Sequence, residues 1–222
     1  MGAEAEIVRR LLDWFAKYGR DYPWRRTTEP YCILIAEMML QRTKSDQVAD
    51  LYQQFIQRYP EPQALAHADV EEIEKFLLPL GLRWRARKIR EAGKTVMEMF
   101  NGRIPEQEEE LLALPGVGEY AARAVLCFAY GKDVPLVDAN VCRVLGRLFN
   151  MPPRGEARRD RKFIETAHRL HGYVPAGRSR EYNWAILDLA ATVCTPRRPA
   201  CPECPLKDLC LYPNKTAQNQ KT

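Results

Sequence analysis

Leu111-Leu112-Ala113-Leu114-Pro115-Gly116-Val117-Gly118-Glu119-Tyr120-Ala121-Ala122 is the stretch from which the fold can be read. Leu111, Leu112 and Leu114 make the apolar end of a helix. Pro115 stops it, because its ring has no N–H to give and clashes with the turn before it. Gly116-Val117-Gly118 then makes a connection too sharp for residues carrying a Cβ at positive φ. A second helix starts at about Glu119 and runs through Ala124, Val125, Leu126 and Phe128 to Gly131. Its first backbone N–H groups have no partner within the helix and lie beside two glycines that admit another backbone, which suits a phosphate.

Working outward, Val134-Pro135-Leu136-Val137-Asp138-Ala139-Asn140 leads into the next helix, with Asp138 at its start and Arg143 and Arg147 one and two turns on. An isolated Asp in such a place is ordinarily an N-cap. The ordered set of Leu114 to Gly118, then Gly131 and Pro135, then Asp138 resembles the helix-hairpin-helix DNA glycosylase superfamily, which includes endonuclease III and MutY. The resemblance implies a catalytic role for Asp138 and DNA contacts from Gly116, Gly118, Asn140 and Arg143.

The chain has 222 residues, 46% hydrophobic and 28% charged, with a net charge of +5. That is an ordinary globular balance, and the positive excess suits a polyanion without requiring one. No apolar run approaches the ~20 residues of a membrane crossing, and Met1 to Ile7 is not a signal peptide. A cytoplasmic, nucleoid-associated protein is the expectation, and its seven cysteines point to thiolate ligands or buried thiols rather than disulfides.

Apolar spacing predicts helices over 4–18, 32–41, 45–58, 69–78, 85–100, 139–149, 160–171 and 181–193, with loops at 60–67 and 151–160. Glu37 stands on the second of these between Ala36 and Met38, where a carboxylate is costly to bury without a partner. Pairing with Arg25, Arg26 or a helix N-terminus is one account of it. A general acid or water-orienting base facing a pocket is the other. Trp24-Arg25, Pro30-Tyr31 and Glu37 through Thr43 look like the N-terminal signature of MutY-type adenine glycosylases and Mig-type thymine mismatch glycosylases, in both of which a Glu here lines the base pocket.

By the same resemblance Gln41 fills the space left by an extruded nucleotide, with Arg42 beside it. Leu80 to Lys88 combines a glycine turn, an apolar side chain, a tryptophan and four cations, a mixture suited to a nucleic acid surface. In the superfamily the loop here enters the base stack, so Leu82 or Arg83 is the candidate wedge.

Cys194, Cys201, Cys204 and Cys210 are separated by six, two and five residues. Spacing alone leaves zinc and an iron cluster both open, although only Cys201 and Cys204 form the short knuckle that structural zinc sites usually pair. The six, two, five pattern matches the [4Fe-4S] loop of the endonuclease III and MutY branch at every ligand.

The resemblance therefore implies an all-α protein of two helical lobes with a DNA-binding cleft between them. One is a six-helix barrel over 23–133 containing the hairpin, and the other joins 1–22 to 134–210 and carries the cluster. Residues 211–222 read as a disordered tail. The implied activity is excision of a mispaired base from double-stranded DNA by a monomer. Lyase members carry Lys at the place of Tyr120, whose phenol cannot form a Schiff base, so the enzyme should be monofunctional. Gln41-Arg42-Thr43 and Asp138-Ala139-Asn140 look closer to the Mig-type enzymes, which remove thymine or uracil opposite guanine. The alternatives are a MutY-type adenine glycosylase and, below that, a non-catalytic DNA-binding module. MutY-type chains more typically read Gln-Gln-Thr and Asp-Gly-Asn at those places, and most continue into a further C-terminal domain.

Overall fold

The computed structural model describes residues 2–81, 83–153 and 155–213. Among these there are eleven α-helices and no strand. The all-α class follows from the helical spacing of the apolar residues. The chain divides into two compact units, one of Asp21–Lys132 and one joining Met1–Arg20 to Asp133–Thr222. No described helix is long and apolar enough to cross a membrane.

In the unit of residues 21–132, helix α2 (Pro30–Leu40) is buried nearly all round, as a helix without a polar face must be. It packs on α3 (Ser45–Arg58) and on α8 (Glu119–Phe128). Residues 60–67, expected as a loop, instead contain the short helix α4 (Pro62–His67). Pro62 sits in its first turn, where the missing N–H costs nothing, and Leu65 and Ala66 are buried. The turn was invisible because its stability comes from packing against α6 (Arg83–Phe100), whose Gly93 leaves room for Leu65. Helices α5 (Val70–Leu77) and α7 (Glu108–Leu112) complete this unit.

In the other unit, α1 (Ala3–Tyr18) lies against α10 (Arg161–His171) and α11 (Ser179–Thr192), and α9 (Ala139–Leu148) packs on the same two. Ile7, Leu11, Val144, Leu145, Phe163 and Leu189 lie within its core. The end of α1 is tied down by a buried carboxylate. Asp188 accepts both the backbone N–H and the Nε–H of Arg20 at 2.8 Å. Cys127 and Cys142 are buried thiols, and burial pushes Cys142 up to about 11. At the start of the expected tail, Leu211 donates its N–H to Leu148 at 3.0 Å and Tyr212 stacks under Arg147, so order reaches past Cys210. Residues 214–222 lie outside the described residues.

Candidate active site and cluster loop

The hairpin forms as its glycines demand, with one revision. Gly116 has φ +86°, and a Cβ there would come within 3.1 Å of both Lys88 Cβ and Met38 Cε. Only glycine meets both conditions. Gly118 has φ −108°, which any residue adopts, and a Cβ on it would touch nothing within 4 Å. Its contribution is open space at the N-terminus of α8.

Three elements of this unit meet at Gly116. Gln41, at the end of α2, donates its side-chain N–H to the Gly116 carbonyl at 3.0 Å. Arg85, in the first turn of α6, is only 2% exposed and donates to the Met38 carbonyl at 3.1 Å. A guanidinium against the last carbonyls of a helix is favourable for the same reason that cations favour helix C-termini. Sequence reading missed this role, because four cations within six residues give no sign of which one turns inward. Trp84, beside it, is 54% exposed, with the Arg85 guanidinium 4.8 Å from its ring centre. Arg42 is exposed and takes a left-handed backbone, φ 60°. Arg83 is exposed and lies 3.5 Å from Glu74. Leu82, the other wedge candidate, lies outside the described residues.

Glu37 is 5% exposed on α2, and Tyr120 is half-buried in the first turn of α8. The packing of α2 on α8 brings the helices bearing these two side chains together. Arg26, one partner considered for Glu37, is instead held by Asp21, with Nε–Oδ1 at 2.9 Å.

In the other unit Asp138 does cap α9. Its Oδ1 accepts the Val141 N–H at 2.7 Å, and its Oδ2 accepts from the Asn140 amide at 2.8 Å. The ordinary N-cap role is therefore present. It also fixes the carboxylate in one orientation, half-buried, with lone pairs on Oδ2 beyond the one Asn140 takes. Asn140 and Arg143, expected at DNA, are engaged within the unit. Asn140 Oδ1 accepts from Arg143 Nη1 at 3.0 Å, and Arg143 also donates to the carbonyls of Cys194 at 3.0 Å and Ala190 at 2.9 Å. A guanidinium with these bonds is an internal brace. Its one-turn spacing from Asp138 shows which face the side chain is on but not the bonds it makes there.

The four cysteines of the loop are half-buried and joined in no disulfide. Burial pushes the Cys204 thiol up to about 11, and negative charge on Cys194, Cys210 and Cys201 adds to the shift. The four sulfurs thus share one neighbourhood, in which a bare Cys204 thiolate is disfavoured and a cationic metal core would relieve it. Arg147 donates to Cys194 Sγ at 3.4 Å and to the carbonyls of Thr195 and Pro196 at 2.7 and 2.8 Å. Neighbouring cysteine sulfurs are the ligands that a multi-iron group takes, and Cys194, Cys201, Cys204 and Cys210 could hold one.

A protein-family model described as the HhH-GPD superfamily base excision DNA repair protein matches residues 35–167. The chain belongs to that superfamily. A second model, the iron-sulfur binding domain of endonuclease III, matches residues 194–210, the span of the four cysteines, so this repair protein has the [4Fe-4S] domain of its branch. When bound, such a cluster neutralises its thiolates and fixes the loop that holds it. The chain is 41% identical to a thymine-DNA glycosylase of Aeropyrum pernix over 94% of each chain. It is 35% identical to the human adenine DNA glycosylase, over 95% of this chain and 40% of that one. Among solved structures, that of a thermostable thymine-DNA glycosylase superposes with a TM-score of 0.85 at 33% identity, covering 96% of this chain and 97% of the other.

Proposed function

We propose that this DNA glycosylase removes thymine or uracil mispaired with guanine in double-stranded DNA, acts as a monomer, and leaves the strand uncut. The observation that carries the reading is the match along almost the whole of both chains to a thymine-DNA glycosylase. Gln41-Arg42-Thr43 and Asp138-Ala139-Asn140 support it.

The bond between base and sugar is hidden in a duplex, so the nucleotide must be extruded, which costs least for a mispair. The amides at Gly116 and Gly118 hold phosphate, with Arg42 nearby, while Gln41 and either Leu82 or Arg83 fill the gap in the stack. Breaking the N-glycosidic bond puts positive charge on the sugar. The Asp138 carboxylate, held still by Val141 and Asn140, stabilises that charge and directs water to C1′ or bonds to it transiently. Glu37 protonates or positions the leaving base. Tyr120 offers a phenol where an amine would be needed for an imine, so no Schiff base forms and no strand cleavage follows.

Labelled duplexes containing G·T, G·U, A·G and A·8-oxoguanine pairs, analysed with and without alkali, test this reading. Excision at G·T and G·U, seen as cleavage only after alkali, is the expected result. Cutting confined to the adenine strands would transfer the protein to the adenine glycosylases. Equal cutting without alkali would refute the role given to Tyr120, and cutting of none would leave a DNA-binding module.

A further inference from the structure

Asn183 is 1% exposed, on a helix whose neighbouring residues Tyr182, Ala185 and Ile186 are also buried. Its side-chain amide is engaged by backbone far away in the sequence. Oδ1 accepts the Leu136 N–H at 3.0 Å, and Nδ2 donates to the Val134 carbonyl at 2.9 Å, across 47 and 49 residues. These two groups flank Pro135, which is buried and has no N–H of its own. In an extended segment they face the same side, so one primary amide satisfies both as a neighbouring strand would. Among the described residues there is no strand to do so.

One helical turn earlier, Ser179 is 4% exposed and donates its hydroxyl to Asp133 Oδ1 at 2.6 Å. Its oxygen lies 3.0 Å from His171 Nε2. The single hydroxyl proton is given to the carboxylate, so the imidazole is the donor in that contact. Ser179 and Asn183 lie four residues apart on one face of α11 and so hold both ends of the segment from Asp133 to Leu136. That segment ends two residues before Asp138.

We infer that Asn183, supported by Ser179, is a positioning residue that sets where Asp138 meets its substrate. The inference rests on the role proposed above for Asp138. The cap bond to Val141 fixes the carboxylate relative to α9 alone, whereas the amide of Asn183 fixes the chain that delivers it. A leucine at 183 would fill the same space but leave the buried Leu136 N–H and the half-buried Val134 carbonyl unmet, and the segment would shift to find other partners.

The test compares intact cluster-containing protein with its Asn183→Leu, Asn183→Asp and Asp138→Asn variants. Each is assayed for single-turnover excision of the mispair that the unaltered protein cleaves, for duplex Kd, and for exchange of the Leu136 amide. Asn183→Leu should slow excision about 10- to 100-fold, the loss expected from a shift of about 1 Å at a reacting group, with Kd changed less than about threefold. Its Leu136 amide should exchange at least about tenfold faster, since its bond is gone. Asn183→Asp keeps an acceptor for Leu136 but sets a carboxylate against the Val134 carbonyl, so it should fall between the two, and it carries the test if the leucine variant does not fold. Unchanged excision alongside fast Leu136 exchange would overturn the inference, and so would excision and affinity falling together in proportion. Excision surviving in Asp138→Asn would overturn the role of Asp138 itself. Excision lost there but intact in both Asn183 variants would overturn the positioning role alone.

Discussion

The hairpin at Gly116 and the segment ending at Asp138 are both short non-helical connections leading into a helix, yet they are held in different ways. The hairpin is shaped mainly by its own residues. Gly116 takes a backbone angle closed to other side chains, and Pro115 ends the element before it. The Asp138 segment has only the fixed φ of Pro135 as an internal constraint and depends on Asn183, Ser179 and Arg143, which reach it from other helices or through Asn140. A connection of the first kind announces itself in the sequence. One of the second kind is fixed only when the rest of its unit has folded.

The sharpest way to break this comparison is Asp138→Asn. Asparagine caps a helix about as well as aspartate, so stability should change by less than about 0.5 kcal/mol while the negative charge is lost. Excision should fall on the order of 10³-fold with duplex affinity retained, the scale set by removing a preorganised electrostatic partner of a transition state. Capping would be the whole role of Asp138 if single-turnover excision survived. Glu37→Gln comes next, with an expected loss of about 10²-fold in excision rate from a missing proton donor, and a rate within about twofold of the original would make Glu37 a packing residue.

Gly116→Ala and Gly118→Ala separate the two glycines. The first should cost about 1–3 kcal/mol, from the left-handed angle and the 3.1 Å approach to Lys88 and Met38, read as a fall in Tm. The second should leave Tm nearly unchanged, within about 0.5 kcal/mol, yet weaken duplex binding if the open space beside α8 is where a phosphate lies. Equal loss of Tm in the two variants would contradict the geometry.

The smallest effect concerns His171, beside Ser179. Burial holds its imidazole below the usual 6.5, with the Asp133 carboxylate opposing the shift and His168 adding to it. The unfolded chain then takes up the proton more readily than the folded one. This contribution to stability is therefore whole above about pH 6.5 and is lost as pH falls through the lowered folded value. An NMR titration of the ring should give a midpoint below 6.5, and a midpoint above it would mean that Asp133 outweighs burial.

Much of the fold was legible because helices declare themselves locally. The apolar spacing of Ile7, Leu11 and Trp14 gave α1, and the unbroken apolar run around Glu37 gave α2. Helix α4 was not legible, since six residues starting at a proline have little helical preference until Leu65 packs beside Gly93. The same division runs through the site. Asp138 and the four cysteines stood out by residue type and order, and Arg143 stood out as a cation on α9 while its bonds to Asn140, Ala190 and Cys194 did not. Asn183 gave no signal at all, and nothing marked Arg85 as the buried one among its neighbouring cations.

By itself, the sequence determined what local chemistry can determine, namely the helical class, the sharp turn at Gly116, the carboxylate at the start of α9 and the spacing of Cys194, Cys201, Cys204 and Cys210. Tertiary structure alone decided which polar groups are spent inside the protein. Hydrogen bonds between Asn183 and both Val134 and Leu136, or from Arg143 to Cys194, join residues about 50 positions apart. Such bonds have no periodicity to read, because the partners become neighbours only after apolar burial has brought their helices together.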